Sequence, residues 1–204
     1  MFVIKPFRFL PSIKRKDTNP DFADYSWFKG LFNEEEVNKI KELWHEEEAK
    51  AAEVLQAGEK KEKDDLRKSR IIFIKPGGAN DWIYDKLSQA CIQTNTNRYK
   101  FEILGYQTEL QLASYSEGDF FDWHMDFGMG DISNRKLSIT VQLSDSDEYE
   151  GGDLQFMVNQ NIVTAPRDKG TAIVFPSFAL HRVTPVTSGN RKSIVGWIAG
   201  PPYR

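Results

Sequence analysis

Three residues in the C-terminal half of the chain have side chains that can bind one metal ion together: His124, Asp126 and His181. Two imidazoles and one carboxylate are the ligand set that holds iron(II) on one face and leaves the opposite coordination positions open for substrate and O₂. A fourth residue, Arg191, follows ten positions after His181 and adds a permanent positive charge. This set of residues predicts the chemistry of an iron-dependent oxygenase.

His124 and Asp126 lie at the end of a predicted strand. Side chains two positions apart in a strand point to the same side, so both can reach one metal ion. A His-x-Asp pair occurs often by chance and is a weak signal alone. The glycines that follow, Gly128 and Gly130, predict a flexible rim beyond the strand end, over about residues 127–135.

His181 lies in the apolar run 175–183, where an ionisable group needs a specific partner. The ordinary alternative for one buried histidine is a hydrogen-bonded core residue. The chain has only three histidines, however, and two of them lie in the same half. The third, His45, is followed by three glutamates and is predicted to be a surface residue.

Arg191 opens the last predicted strand. Strand periodicity predicts that Arg191, Ser193, Val195 and Trp197 face inward and that Lys192 faces outward. An inward guanidinium must meet an anion, because it cannot lose its proton and an unpaired buried charge is strongly destabilising. Its planar shape fits a carboxylate in bidentate fashion. Two partners stay open at this point: a carboxylate ligand, or an Asp or Glu of the chain in an internal salt bridge.

The residues from Phe101 onward must position these side chains, and their pattern is typical of an all-β fold. Short apolar or alternating runs recur about every ten residues, with Gly, Asn, Asp and Pro between them. The predicted strands are 101–104, 108–115, 119–124, 136–143, 152–158, 161–164, 171–175, 179–186 and 191–198. About eight such strands close into a sandwich or a jelly roll.

The first hundred residues predict a short strand at 1–10, a polar linker to about residue 24, and two helices that brace an outer sheet. The first helix starts after the capping residue Asn33, buries Val37, Ile40, Leu43 and Trp44, and continues weakly through Ala51 and Leu55.

The second predicted helix follows a strand over 70–74 and the breaker Pro76-Gly77-Gly78. Asn80 is its predicted cap, and its apolar positions are Ile83, Leu87, Ala90 and Thr94, with Cys91 beside them as a small core residue. Between the helices, the highly charged segment 58–68 predicts a solvated loop or a frayed helix end, with a mobile lid as the alternative.

Composition limits the classes of protein that need to be considered. A chain of 204 residues with 40% hydrophobic content can form one sizeable core, and a single domain over 1–204 is predicted. The net charge of −3 argues against a nucleic-acid partner, since such proteins carry an excess of Lys and Arg. One cysteine excludes an intrachain disulfide, and no stretch reaches the length of a membrane span. We therefore expect a cytoplasmic protein with no membrane contact.

Several short motifs, taken together, resemble the prolyl 4-hydroxylase-like branch of the 2-oxoglutarate- and Fe(II)-dependent oxygenases. They occur in the family's order and spacing over about residues 101–200. The motifs are Tyr115, His124-x-Asp126, Leu143-Ser144-Asp145, Tyr149-Glu150-Gly151-Gly152, Phe175-Pro176-Ser177, His181 and Arg191. The resemblance implies a mainly β fold, a double-stranded β-helix (jelly roll) core over 101–200 with supporting N-terminal α-helices in 1–100.

The resemblance also implies a role for each matching residue. His124, Asp126 and His181 match the iron ligands, and Arg191 matches the basic residue that binds the distal carboxylate of 2-oxoglutarate. Tyr115 matches a tyrosine that hydrogen-bonds the same carboxylate, and Gln142 stands at a further cosubstrate-contacting position. The implied cofactors are Fe(II), 2-oxoglutarate as cosubstrate, O₂ and, as a further candidate, ascorbate. Many collagen-type relatives have Lys where Arg191 stands, which keeps the charge and changes the geometry.

The resemblance implies hydroxylation of a substrate C–H bond with decarboxylation of 2-oxoglutarate to succinate, and a prolyl residue of a protein or peptide as the first candidate substrate. A free amino acid or another small molecule is the second. A non-catalytic binding module on the same fold is a third, because fold does not fix function. Nucleic-acid demethylation is disfavoured, because that branch has a second Arg six residues after the first, where this chain has Trp197.

Overall fold

The computed structural model describes residues 25–52, 54–56, 59–61 and 66–203. The two α-helices are α1 (Glu34–Lys41) and α2 (Asp81–Thr94), and a π-helical turn, Asn95–Tyr99, continues α2. In chain order the strands are β1 (Ser26–Phe28), β2 (Lys50–Ala51), β3 (Val54–Gln56), β4 (Glu59–Lys61), β5 (Arg67–Lys68), β6 (Arg70–Ile74), β7 (Gly105–Tyr106), β8 (Leu110–Tyr115), β9 (Phe120–His124), β10 (Arg135–Gln142), β11 (Tyr149–Gly151), β12 (Leu154–Val158), β13 (Asn161–Thr164), β14 (Ala172–Pro176), β15 (His181–Val183), β16 (Val186–Gly189) and β17 (Arg191–Ala199). The predicted strand at 1–10 and linker to 24 lie outside the described residues.

Two antiparallel sheets face each other. The larger has eight strands in the order β1-β14-β10-β17-β8-β6-β2, with β7 beside β17. The smaller has five strands in the order β13-β12-β15-β9-β5, and β11-β16 and β3-β4 form separate pairs. This arrangement confirms the predicted jelly-roll core with helices before it.

The outer face of the larger sheet packs against the two helices. Buried apolar residues of this layer come from α1 and α2 on one side and from β6, β8, β10, β14 and β17 on the other: Val37, Ile40, Ile83, Leu87, Ala90, Ile72, Leu112, Ile139, Val174 and Ile194. Val37 and Ile40 of α1 and the apolar positions of α2 are therefore buried as predicted, and the helices brace the sheet as expected. Leu43 and Trp44 also pack against this layer, but they lie beyond the end of α1 and are only partly buried. Neither helix of the described ranges is long and apolar enough to cross a bilayer.

The inner face of the larger sheet packs against the smaller sheet. The buried residues between the sheets include Ala113, Tyr115, Phe175, Phe156 and Val183. The predicted alternation along β17 is confirmed. Arg191, Ser193 and Trp197 are buried on the inner side of the sheet, whereas the Lys192 ammonium lies on the outer side, 4.5 Å from the centre of the Trp44 ring. The interior between the sheets therefore contains the candidate residues.

Helix α1 begins where the sequence predicts and ends earlier. Asn33 Oδ1 accepts from the Glu36 amide and Glu36 Oε2 accepts from the Asn33 amide, both at 2.9 Å, a complete capping box. The predicted continuation through Ala51 and Leu55 is wrong. Bonds of the 3₁₀ type tighten the chain after Lys41, and Lys50–Ala51 pairs with β6 instead. Charged residues dominate the stretch beyond Trp44, so a longer helix would have little apolar surface to pack against the sheet.

Helix α2 begins at the predicted residue with a different cap. The Asn80 side chain makes no capping bond and donates to the Lys75 carbonyl at 3.2 Å. Asp81 accepts from the Gly77 amide at 2.7 Å and ties the preceding turn to the helix start. The sequence therefore predicted the start of the helix correctly but assigned the capping hydrogen bond to Asn80, which does not make it.

Several predicted strands differ from the observed ones. Residues 101–104 are not a strand, and Gly105–Tyr106 pairs with the end of β17 instead. The predicted strand 179–186 is two strands, β15 and β16, separated by Thr184-Pro185, since Pro cannot donate to a ladder. The sequence prediction also missed β11, which pairs with β16.

The charged segment 58–68 is only partly described, and its C-terminal end contradicts the prediction of a solvated loop or frayed helix. Arg67 and Lys68 form β5 and pair with Phe121 and Phe120 of β9. Arg67 is 6% exposed, so it lies inside the molecule despite its charged surroundings in the sequence.

Cys91 is a core residue on α2, as predicted. Burial raises the pKa of its thiol to about 12, so the reactive thiolate is scarce at neutral pH. We expect iodoacetamide to leave the native protein unmodified at mildly alkaline pH and to label it fully in guanidinium chloride, as measured by intact-protein mass spectrometry. Rapid labelling of the native protein would contradict the buried position.

Candidate metal centre and active site

Two neighbouring strands of the smaller sheet bring the three predicted ligands together. His181 of β15 lies directly opposite His124 of β9 in the strand register, and Asp126 follows β9 by two residues. Their ligand atoms all lie within 4.8 Å of one another. His124 Nε2 is 3.7 Å from Asp126 Oδ1, and His181 Nε2 is 3.6 Å from Asp126 Oδ2. His45 is exposed, as predicted.

Backbone carbonyls orient both imidazoles. His124 Nδ1 lies 2.7 Å from the Asp122 carbonyl and His181 Nδ1 lies 2.8 Å from the Ala179 carbonyl. A carbonyl can only accept, so we assign the proton to Nδ1 in each ring, which leaves the Nε2 lone pairs free to bind a metal. Phe121 stacks on His124 with ring centroids 3.4 Å apart, and Phe175 packs its edge against His181.

Asp126 is held by a serine that sequence reasoning missed. The Ser138 hydroxyl donates to Asp126 Oδ2 at 2.6 Å, and Ser138 Oγ is 3.1 Å from Ser177 Oγ. Both serines have zero exposure. The only sequence signals are their positions, Ser138 in an otherwise apolar strand and Ser177 in the Phe-Pro-Ser motif. Because Ser138 donates to Oδ2, Oδ1 is the oxygen without a hydrogen bond among the described residues and is the better candidate to bind a metal.

Burial and neighbouring charges set the protonation of the ligands. Loss of water, followed by repulsion from His181, lowers the pKa of His124 to about 3. For Asp126, burial raises the pKa, but His181, His124, Arg135 and the Ser138 hydrogen bond outweigh it and bring the pKa to about 2. At neutral pH the imidazole of His124 is therefore neutral and Asp126 is a carboxylate, the forms that bind metals. The residues fit a divalent iron.

Arg191 is a buried cation with only neutral partners. It is 1% exposed, and its Nη2 donates to Gln142 Oε1 at 2.9 Å while Nη1 donates to Ser193 Oγ at 3.3 Å. Its guanidinium carbon lies 5.4 Å from the centre of the Tyr115 ring. No Asp or Glu among the described residues forms a salt bridge with it. Of the two partners that the sequence left open, the internal salt bridge is thus absent from the described structure.

The space around Gly152, the second glycine of the Gly151-Gly152 motif, explains why a glycine stands there. Gly152 has φ +61°, and a Cβ there would lie 3.1 Å from Arg191 Cδ and 3.2 Å from the Tyr149 ring. A side chain at this position would therefore press on the arginine. The glycine leaves room for Arg191 to lie along the inner face of the sheet.

One cavity brings together the candidate metal ligands and Arg191. His124, Asp126, His181, Arg191 and Tyr115 line it, and so do apolar and aromatic residues of both sheets. Arg67 of β5 lines it as well, although no motif or spacing in the sequence indicates a role for this residue. Arg135, at the end of the predicted rim, lies beside it with its guanidinium 3.9 Å over the Trp197 ring.

Replacement of Ser138 by alanine should weaken metal binding without disturbing the fold. Among the described residues, the Ser138 hydroxyl is the one hydrogen-bond donor to the Asp126 carboxylate, and loss of such an outer partner typically costs about 10–100-fold in metal affinity. Mn(II) titration of the metal-free protein, followed by electron paramagnetic resonance, measures this affinity.

Ser138→Thr keeps the hydroxyl and should restore most of the affinity. Ser144→Ala removes a buried hydroxyl that contacts the Asn190 carbonyl and the Lys192 amide, and it serves as the matched control. Equal Mn(II) affinity in Ser138→Ala and Ser144→Ala would show that Ser138 does not position Asp126.

Comparison with known proteins agrees with this geometry. Residues 110–199 match the family model of the 2OG-Fe(II) oxygenase superfamily. A PKHD-type hydroxylase of Synechococcus sp. (strain CC9902) is 43% identical over 88 residues, which cover 43% of this chain and 40% of that protein. The segment 110–199, which carries the three candidate metal ligands and Arg191, is therefore similar to the 2OG-Fe(II) oxygenase superfamily.

Further curated relatives match over longer or shorter stretches. A PKHD-type hydroxylase of Idiomarina loihiensis is 27% identical over 146 residues, 70% of this chain and 65% of that protein. The alignments with several curated relatives span less than half of those relatives' length, 40% for the Synechococcus hydroxylase.

Two solved structures share the fold. The Pseudomonas putida prolyl-4-hydroxylase superposes with a TM-score of 0.71 at 20% identity, covering 90% of this chain and 100% of that one. The Trichoplax adhaerens prolyl hydroxylase, solved in complex with a peptide fragment of the hypoxia inducible factor oxygen degradation domain, gives 0.73 at 15% identity, covering 88% and 84%. These likenesses establish that the chain has a jelly-roll fold like that of the two prolyl hydroxylases.

Proposed function

We propose that this chain is an Fe(II)- and 2-oxoglutarate-dependent dioxygenase that hydroxylates a C–H bond of its substrate, and that the whole of 1–204 acts as one oxygenase domain. The observation that carries the proposal is Arg191, a fully buried guanidinium without a carboxylate partner in the described structure, in the same cavity as the His124, Asp126 and His181 cluster. A metal triad beside an unpaired inward cation fits a cosubstrate that chelates a metal and carries a second carboxylate.

His124, Asp126 and His181 would hold the iron through Nε2, Oδ1 and Nε2. When bound, iron supplies the redox chemistry in which O₂ and 2-oxoglutarate yield succinate and CO₂, with one oxygen atom entering succinate and the other entering the substrate as hydroxyl. The chain's own residues bind and orient the reactants. No proton transfer by a further side chain is needed.

Arg191 would bind the distal carboxylate of 2-oxoglutarate, with Tyr115 beside it. Gln142 has a different part, because its amide oxygen accepts from Arg191 and its nitrogen donates to the Pro166 carbonyl at 3.2 Å. Gln142 would hold the Arg191 guanidinium in position through this hydrogen bond without neutralising its charge. The apolar cavity wall, including Phe175 and Val183, excludes water and strengthens the pairing of Arg191 with an anion.

The proposed substrate is a prolyl residue of a protein or peptide. Support comes from the fold shared with the Pseudomonas putida prolyl-4-hydroxylase and with the Trichoplax adhaerens enzyme, which was solved with a peptide. A free amino acid or another small molecule is the second candidate. The residues that line the cavity could contact either a peptide or a small molecule.

Succinate formation tests the proposal. Protein loaded with Fe(II) and supplied with 2-oxoglutarate, O₂ and ascorbate should form succinate, and a proline-containing peptide or free proline should increase the rate and gain the mass of one oxygen atom. A metal-binding protein that forms no succinate with either substrate, or without any substrate, would instead be a non-catalytic module on this fold.

A further inference from the structure

The cavity contains a second buried cation that the proposed function does not use. Arg67 of β5 is 6% exposed, and its Nε donates to Ser69 Oγ at 2.9 Å. Its guanidinium carbon lies 4.8 Å from the centre of the Phe121 ring, and Phe121 itself stacks on His124. Arg67 is therefore fixed close to the metal ligands and lines the same cavity.

No carboxylate of the described residues pairs with Arg67. Its neighbour Lys68 takes the nearby carboxylate instead, with Nζ 3.4 Å from Asp119 Oδ1. The contact with Phe121 offsets only part of the cost of burying a guanidinium, since an aromatic face is a weaker partner than an anion. A buried, permanently charged side chain that lines a cavity and has no counter-ion among the described residues is suited to bind an anion.

The net charge of the cavity with metal and 2-oxoglutarate bound also favours an anion near Arg67. A divalent metal would cancel the two carboxylates of 2-oxoglutarate. Among the described residues in and beside the cavity, one carboxylate, Asp126, then stands against the guanidiniums of Arg67, Arg135 and Arg191. An excess of positive charge in a space that excludes water attracts an anionic group of the remaining reactant, the substrate.

We propose that Arg67 binds a carboxylate of the substrate and so makes this protein selective for substrates with an anionic group near the hydroxylated carbon. This inference rests on the proposed function, because it assumes that 2-oxoglutarate fills the Arg191 side. The carboxylate has two chemical sources: the α-carboxylate of a free amino acid, or an acidic side chain beside the target residue of a peptide.

Binding measurements with matched probes separate these sources. The protein is loaded with Mn(II) and 2-oxoglutarate without O₂, and probe binding is followed by calorimetry. One pair is L-proline and L-prolinamide, and the other is acetyl-Pro-Glu-amide and acetyl-Pro-Gln-amide. The wild type should bind the carboxylate member of at least one pair about ten-fold or more tightly than the amide member.

Arg67→Gln should lose this preference, whereas Arg67→Lys should keep part of it as a point charge. Lys68→Gln is the matched control, since it makes the same charge change at the next residue, whose side chain is more than half exposed. Circular dichroism and unchanged 2-oxoglutarate affinity show that each variant is folded.

Two results would overturn the inference: equal affinity for both members of each pair in the wild type, or a preference that persists in Arg67→Gln. Either leaves the proposed function intact as long as 2-oxoglutarate binds. Failure of the Mn(II)-loaded protein to bind 2-oxoglutarate would overturn the proposed function and this inference with it.

Discussion

Substitution of His124 by alanine is expected to abolish both metal binding and succinate formation. His124 Nε2 lies beside Asp126 with its Nδ1 fixed on a backbone carbonyl, so the variant would lose one of the three candidate ligands that the described residues offer. The loss of Mn(II) affinity should exceed the roughly 10–100-fold that removal of an outer partner costs. Mn(II) titration and the succinate assay measure the two effects separately.

His45→Ala is the matched control for this experiment. His45 is an exposed histidine outside the cavity, so its removal should leave Mn(II) affinity and succinate formation at the wild-type level. The metal assignment fails if the His124 and His45 variants bind Mn(II) equally or form succinate at equal rates.

The ligands of this centre could be predicted from the sequence because strand geometry acts locally. His124 and Asp126 face one point because they are two residues apart at a strand end, and the alternation along β17 places Arg191 inward without knowledge of its neighbours. The family resemblance then joined His181 to this pair. The structure shows the basis of that link, the direct register of His181 with His124.

The residues that the sequence could not reveal act through contacts between distant strands. Ser138 reaches Asp126 from β10 in the other sheet, and Arg67 enters the cavity because two residues of a charged segment pair with β9. The many charged residues around Arg67 predict that it is exposed to solvent. It is buried because β5 pairs with β9. The overlong prediction for α1 has the same origin, since β2 pairs with β6 across about twenty residues.

Substitution of Arg191 is expected to weaken 2-oxoglutarate binding while leaving metal binding intact. Arg191→Gln removes the charge and the bidentate donors, and we expect the affinity of the Mn(II)-loaded protein for 2-oxoglutarate to fall about 100-fold or more. Arg191→Lys should lie between, because an ammonium keeps the charge without the planar geometry. Anaerobic calorimetry gives both affinities, and Lys192→Gln, the neighbouring residue on the outer face, is the control.

Stability distinguishes a binding role of Arg191 from a structural one. A guanidinium that is 1% exposed and has only neutral partners destabilises the ligand-free protein, so Arg191→Met should raise the melting temperature of that form. An arginine that stabilised the fold through a salt bridge would give the opposite shift, because its removal would leave a carboxylate buried and unpaired. Unchanged 2-oxoglutarate affinity together with a lowered melting temperature would remove Arg191 from the cosubstrate site. A raised melting temperature together with lost affinity would identify it as a residue retained for ligand binding at the expense of stability.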